Sequence, residues 1–206
     1  MKTVGIIAGV MLMFLISSCV DSNKTSNSAM NENNEAALEV IKTRRAIRSY
    51  ESKVPDKDLL AKVLEAGIYA PTGMGQQSPI IVAVTNKEVR DKLSRMNAQI
   101  MGKDTDPFYG APVVLVVLAD KNVPTYLYDG SLVMGNLMNA AHAVGLGSCW
   151  IHRAKEVFET EEGKALLKEW GIEGNYEGIG NCIIGYPKDG LPAAKPRKEG
   201  YIHYIE

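Results

Sequence analysis

Residues 111–120 read APVVLVVLAD, and residues 126–144 read YLYDGSLVMGNLMNAAHAV. A run of Val and Leu without polar alternation predicts a strand covered on both faces. The second segment is apolar nearly all round and carries small residues at Gly130, Ser131, Gly135, Ala140 and Ala141. That pattern predicts a long helix, either central or packed closely on another helix. Outward from this pair, Pro79–Thr85 (PIIVAVT) predicts a second buried strand and Lys87–Met101 a helix. Asp56–Tyr69 is strongly amphipathic, with Pro55 and Asp56 at its start and Ala70-Pro71 at its end. Ala37–Arg45 has apolar residues at helical spacing and ends in a basic cluster. Ser148–His152 and Asn181–Tyr186 predict short strands, with one amphipathic helix over Glu156–Trp170 between them. The whole predicts an α/β sandwich: one sheet, helices on both faces, no internal repeat and no second domain.

Composition bounds the function. The chain has 206 residues, 23 basic and 24 acidic side chains, a net charge of -1 and 46% hydrophobic residues. This is a globular composition, which excludes collagen-like, low-complexity and wholly disordered chains. The charge balance argues against nucleic acid as the main partner. Three cysteines without a C-x-x-C are too few for a disulfide scaffold. His142, His152 and His203 lie far apart and have no ligand-like neighbours, so no metal site is expected.

Residues 1–19 read MKTVGIIAGVMLMFLISSC. Lys2 supplies a positive start, and Val4–Ile16 is apolar or small throughout. A spanning helix needs about 20 residues, so this shorter run suits the core of a signal peptide. Ile16-Ser17-Ser18-Cys19 resembles the lipobox of bacterial lipoproteins, which implies cleavage before Cys19 and lipidation of its thiol. Each acyl CH₂ adds about 0.8 kcal/mol of membrane affinity, so two or three chains anchor stably. Residues 1–18 are then a leader. Cys19 and the Asn/Ser-rich stretch to Ala36 form a lipidated tether, and residues 37–206 form the domain. The expected location is extracytoplasmic, on the periplasmic or cell-surface side of a bacterial membrane.

Four segments stand out within the domain. Thr43–Tyr50 places Arg44, Arg45 and Arg48 within five residues, and planar guanidiniums suit a phosphate or an electron-rich heterocycle. Ala70–Pro79 (APTGMGQQSP) offers glycines, a hydroxyl and amides between a helix and a strand. Gly145–His152 (GLGSCWIH) joins the long helix to a strand, and Lys195-Pro196-Arg197-Lys198 is a late basic cluster. Each alone also reads plainly, as a solvated basic face, a connecting loop, a helix end or a solvated loop.

Together, in this order, the four resemble the nitroreductase family of flavoproteins. The family's R-R-S-x-R-x-F is matched by Arg44–Tyr50, its A-P-S-x-x-N-x-Q-P-W loop by Ala70–Pro79, its G-L-G-x-x-W by Gly145–Trp150, and its late K-x-R by Lys195–Arg197. The resemblance implies a nitroreductase-like α/β (α+β) sandwich with a central mixed sheet. It further implies a homodimer with two FMN sites at the interface and NAD(P)H as co-substrate. Carried over by position, Arg44, Arg45, Lys195 and Arg197 look like the phosphate and ribityl contacts, and Arg48 like the cation beside flavin N1 and C2. Thr72, Gly73 and Gln77 fall in the loop that touches the ring and ribityl chain, partly of the partner's flavin. Trp150, Ile151 and His152 match the strand along the ring, where a backbone N–H faces N5. The chemistry implied is flavin-centred and ping-pong, with no side chain as nucleophile, and the acceptor is a nitroaromatic, quinone or similar conjugated compound. The acceptor pocket is expected around Met96–Tyr109.

The chain departs from the family pattern at Ala46, which lacks a hydroxyl, at Gly75, which lacks the Asn amide, and at Ser78-Pro79 in place of Pro-Trp. Other readings stay open. Reduced nicotinamide is scarce outside the cytoplasm, which leaves a quinol or a protein as donor. Relatives also dehalogenate or break down flavin, and a lipid-anchored electron carrier without a dedicated substrate is a further alternative. Gly178–Ile183 lacks the third glycine and the strand-first order of a dinucleotide fingerprint. Ser131 and His142 lack a nucleophile elbow, so His142 reads as a packed or capping side chain. Cys149 and Cys182 read as buried thiols, with a disulfide open in an oxidising compartment.

Overall fold

The strand read first is the middle of the molecule. In the computed structural model, which describes residues 34–206, β2 (Val113–Asp120) is buried along nearly its whole length. Its side chains alternate between two cores. Val114, Val116 and Leu118 enter one, while Val113, Leu115, Val117 and Ala119 enter the other. Each fully buried Val or Leu contributes about 1.5–3 kcal/mol, so the unbroken apolar run is what a doubly covered strand requires.

β2 lies between β1 (Pro79–Val84) and β4 (Tyr176–Gly185), and β3 (Gly147–Ile151) closes the order β1-β2-β4-β3. All three strand pairings are antiparallel. The mixture of strand directions expected from the resemblance is confined, among the described residues, to a parallel bridge between Ala46 and Ser148.

Residues 34–43 are helical (α1), so helix begins before the expected domain start at Ala37. The sheet and all later helices belong to one compact unit, Glu39–Glu206. The leader, Cys19 and most of the tether lie outside the described residues.

Helices α2 (Lys57–Ile68) and α4 (Tyr126–Ala143) cover one face of the sheet through Leu60, Val63, Met134 and Leu137. Helix α3 (Lys87–Met101) covers the other through Leu93 and Met96, with α5 (Ala154–Glu159) and α6 (Glu161–Glu169). Asn86 caps α3 by accepting from Val89 N at 3.0 Å, and Gly102 ends it at φ 65°.

Two expectations are corrected here. The single helix over Glu156–Trp170 is two, because Thr160 is extended (φ -68°, ψ 156°) and caps α6, accepting from Gly163 N at 3.0 Å. Gly163 then packs on the Val157–Phe158 backbone, where a side chain does not fit. The last strand begins at Tyr176, not Asn181, because Gly178–Gly180 forms a bulge within it. Val117 pairs with Gly180 and Leu118 with Gly178, leaving Ile179 unpaired on the α4 side.

That bulge sets how closely α4 approaches the sheet. A methyl on Gly130 would lie 2.5 Å from Ile179 Cγ1, which a β-branched side chain in a packed strand cannot yield. Helix propensity alone favours Ala over Gly by about 1 kcal/mol. Overpacking opposes it, so Gly130→Ala is expected to lower stability by about 1–3 kcal/mol in urea unfolding. A gain in stability would show that α4 has room to move.

Candidate functional site

Thr43–Tyr50 leaves α1 and runs along the outer edge of β3. Ile47 N donates to Ser148 O at 2.9 Å, beside the Ala46–Ser148 bridge. Ile47 and Tyr50 are buried, and the Tyr50 hydroxyl donates back to Ile47 O at 2.8 Å. Arg44 and Arg45 precede Ile47, and Arg48 falls between Ile47 and Tyr50. Arg44 and Arg45 are half-buried, while Arg48 is exposed and sits 6.0 Å from the Tyr109 ring centroid. Arg45 Nη1 donates to Lys42 O and Arg44 O at 2.8 Å each, but its buried Nε has no partner. Among the described residues, none of the three forms an ion pair with a carboxylate. This is a patch of positive charge without an internal counter-charge.

His142 lies at the same end. Its Nε2 is 2.9 Å from Thr43 Oγ1, and the Thr43 hydroxyl donates to Glu39 O, so Nε2 carries the proton. Burial, then the charges of Arg44 and Arg45, hold His142 below the ordinary histidine range. Its expected packing role is therefore exercised beside the arginines. Ser131, by contrast, donates to Leu127 O within its own helix.

Beyond Ile47 the edge of β3 opens. Because Ser148 turns its carbonyl outward to Ile47, Ser148 and Trp150 are the non-hydrogen-bonded positions opposite Ile184 and Cys182. The backbone N–H and C=O of Trp150 thus point off the sheet. Its indole packs back over Gly180, with Nε1 buried and unpartnered. Asn97, wholly buried, donates from Nδ2 to His152 O at 2.8 Å and accepts from Arg153 Nε at 3.2 Å. It pins the chain where Arg153 takes φ 73°.

A groove of about 570 Å³ lies against this edge, between Cys149–Arg153 and the α3–β2 connection, with Arg48 at one side. The connection is held by Asp106, which accepts from Arg90 Nη2 (2.6 Å), Ser94 Oγ, Phe108 N (2.9 Å) and Gly110 N (2.7 Å). Burial alone would raise the Asp106 pKa, but these donors together hold it below the carboxylate range. From the Met96–Tyr109 stretch, Met101, Thr105 and Tyr109 are among the residues that line this groove.

Arg44, Arg45, Arg48, Trp150, Ile151 and His152 are thus gathered along one sheet edge. Thr72, Gly73 and Gln77 are not. Their loop precedes β1, at the opposite edge, about 14 Å away at three strand spacings. It is tied instead to α4. Asp129, 2% exposed, accepts from Gly73 N (3.0 Å), Ser78 Oγ (2.8 Å) and Thr125 Oγ1 (3.0 Å). Thr72 Oγ1 accepts from Gln77 N at 3.1 Å. Gly75, where the family pattern has Asn, sits at φ 67° with open space about it. Asn is the side chain that best tolerates that conformation, so the exchange keeps the backbone and drops only the amide.

Lys195 and Arg197 are not gathered either. The C-terminal segment leaves the fold beside Ala46–Ser49, where Asp189, Gly190 and Pro192 share a small cleft with them. From Lys188 onward every residue is exposed, and neither Lys195 nor Arg197 bonds within the protomer. Cys149 and Cys182 are free and buried, opposite Ile183 and Trp150 respectively. They point to opposite faces of the sheet, which excludes the disulfide left open above. Burial pushes both thiols up.

Sequence reasoning passed over Asn97, Asp106 and Asp129. Asn97 and Asp129 have partners elsewhere in sequence, and Asp106 lies in a polar loop beside Asp104 and Thr105. The one local signal is at Asp129, an acid in a helix that is otherwise mostly apolar.

Sheet topology and the arginine-lined edge define a flavoprotein-like α/β sandwich. The nitroreductase family model matches residues 41–186, and the chain belongs to the nitroreductase family. A protein of Archaeoglobus fulgidus named as a candidate NADH dehydrogenase/NAD(P)H nitroreductase is 32% identical over 161 residues, 75% of this chain and 87% of its own. A protein of the same description from Methanothermobacter thermautotrophicus is 31% identical over 118 residues, 55% of this chain and 59% of its own length. A nitroreductase of Bacteroides fragilis, whose crystal structure holds FMN, superposes with TM-score 0.76 at 29% identity, over 82% of this chain and 98% of that one.

Two outcomes follow from this geometry. Asp129→Asn keeps the shape but loses charge-assisted acceptance, and should cost about 1–3 kcal/mol and speed amide exchange across residues 72–78. Unchanged exchange there would show that the carboxylate does not hold the loop. His142 is held below its unfolded-state pKa by burial and by Arg44 and Arg45, so it takes up its proton more readily when unfolded. The unfolded chain therefore binds more protons as pH falls below about 6.5, and stability declines over that window. His142→Gln should flatten that part of the melting-temperature profile. An identical slope in both proteins would count against the assignment.

Proposed function

We propose that this chain is an FMN-dependent oxidoreductase that takes reducing equivalents from NAD(P)H and delivers them, in a second step at the same site, to a nitroaromatic, quinone or similar conjugated acceptor. Bound FMN supplies the two-electron chemistry, and the chain's own residues supply placement, charge and exclusion of water. The observation that carries the reading is the set of arginines at the β3 edge: two half-buried guanidiniums without a carboxylate, one with a buried Nε that nothing satisfies. A phosphate dianion meets that demand, because it accepts several charge-assisted hydrogen bonds at once. The FMN carried by the Bacteroides fragilis relative supports the same cofactor here.

In this reading Arg44 and Arg45 grip the phosphate, and Arg48 places a fixed positive charge beside the pyrimidine end of the ring. The outward backbone N–H of Trp150 donates at the ring's reactive edge, and Asn97 keeps the following turn from collapsing onto it. A homodimer completes the site. The separation of Thr72, Gly73 and Gln77 from the arginines supports their service to the partner's cofactor. The solvated C-terminal segment supports the same, since it exposes Leu191, Tyr201, Ile202, Tyr204 and Ile205. Lys195 and Arg197 ride on that segment. Membrane attachment through Cys19, facing away from the cytoplasm, belongs to the proposal and rests on the leader sequence alone.

The test is an absorbance spectrum of residues 20–206 reconstituted with FMN, then anaerobic titration with NADH and NADPH and reoxidation by menadione. Expected are about one flavin per chain, bleaching by a nicotinamide and rapid return of colour with the quinone. Failure to retain flavin overturns the reading. Arg197→Ala should weaken FMN affinity by about 1.5–3 kcal/mol, the loss of a hydrogen bond to a charged group. Unchanged affinity would remove the C-terminal residues from the site.

A further inference from the structure

We propose that the groove beside the β3 edge selects acceptors that carry a negative charge, conjugated carboxylates above all. This inference rests on the FMN reading and names the substrate class of that site. The groove's volume, about 570 Å³, has to hold the flavin ring at Arg48 and Trp150 as well as the acceptor. Its charged lining is Arg48, Lys103, Arg153 and Asp106. Asp106 is already engaged: both its oxygens accept hydrogen bonds, and its charge is matched by Arg90, which lies outside this groove.

The cations are not engaged in that way. Among the described residues, none of the three pairs with a carboxylate. Arg153 is half-buried and satisfied only by neutral groups, through Nε to Asn97 Oδ1 and Nη2 to Met101 Sδ. Its backbone is held at φ 73°, a conformation few side chains adopt, beside a carbonyl fixed by the wholly buried Asn97. A guanidinium drawn partly out of water without a counter-charge is costly, and a bound anion removes that cost. With Arg48 assigned to the flavin, Lys103 and Arg153 remain for the acceptor. A neutral quinone or nitroarene gains little from them, whereas a carboxylate of the same size accepts a paired, charge-assisted contact from the Arg153 fork.

A nicotinamide donor also carries an anion, its pyrophosphate, so the test isolates the acceptor. FMN-loaded protein is reduced photochemically, without nicotinamide, and mixed with 4-nitrobenzoate or its neutral amide. The ratio of the two second-order rates is compared between wild type and variant, which cancels the acceptors' intrinsic reactivity. Arg153→Gln should lower the anion-to-neutral ratio about tenfold, the scale of a lost hydrogen bond to a charged group. Lys103→Gln, a change on an exposed side chain, should lower it about threefold, and 0.5 M salt, about that concentration, should narrow the wild-type ratio. Ratios unaltered in both variants overturn the inference while leaving the FMN reading intact. Reduction by NADH is timed in parallel, and a deficit of Arg153→Gln confined to that step assigns the groove to the donor and overturns the inference too. Reoxidation by neither acceptor nor by menadione overturns the FMN reading, and this inference with it.

Discussion

The 2.9 Å bond from Ile47 N to Ser148 O is the contact on which the cationic edge depends. It lays an extended segment against a strand that would otherwise be a bare sheet edge, and the arginines are carried along with it. Gly147 allows that approach, since a methyl there would lie 2.9 Å from Ile47 Cγ1. Buried Ile47 and Tyr50 then act as pegs, so Arg44 and Arg45 are held on one side and Arg48 on the other without any carboxylate neighbour. Holding like charges together costs free energy, and here the cost is met by apolar burial at residues that are not themselves cationic.

The rest of the site is tied down by single buried polar side chains. Asn97 fixes the chain after β3, Asp106 fixes the α3–β2 connection, and Asp129 fixes the loop before β1. Asn97 and Asp129 join segments far apart in sequence, Asp106 closes a shorter span, and each satisfies backbone donors or acceptors that no helix or strand reaches. Loops held in this way need little apolar surface of their own, which leaves their outer faces available for a ligand.

Much of the architecture was legible in the sequence because burial imposes a pattern. The Val/Leu run of β2 announced two covered faces, and the small residues of α4 announced close packing, which Gly130 against Ile179 makes concrete. Failures came where backbone geometry departs from pattern. The Thr160 break interrupts a helix whose apolar spacing continues across it, and the Gly178–Gly180 bulge hides half a strand behind residues that favour turns. The arginine cluster was legible by type and spacing. Asn97 and Asp129 were not, because a buried hydrogen-bond hub is defined by its partners, and no local period records them. Lys195 and Arg197 were legible as charge, but the protomer alone does not say where that charge goes.

An unneutralised cationic edge also links occupancy to stability. In the proposed reading the flavin-free chain bears the repulsion among its arginines and the unmet Nε of Arg45 as a standing penalty, one that the flavin-bound chain sheds. Binding to the folded state alone stabilises it by RT ln(1 + [L]/Kd), about 2.7 kcal/mol at a hundredfold excess over Kd. An exposed strand edge invites pairing with another chain, and a flat ring seated against the outward groups of Trp150 covers it. The features that make this edge a binding site therefore make it a liability when empty, so the cofactor in this reading is a structural element of the fold as well as its reagent.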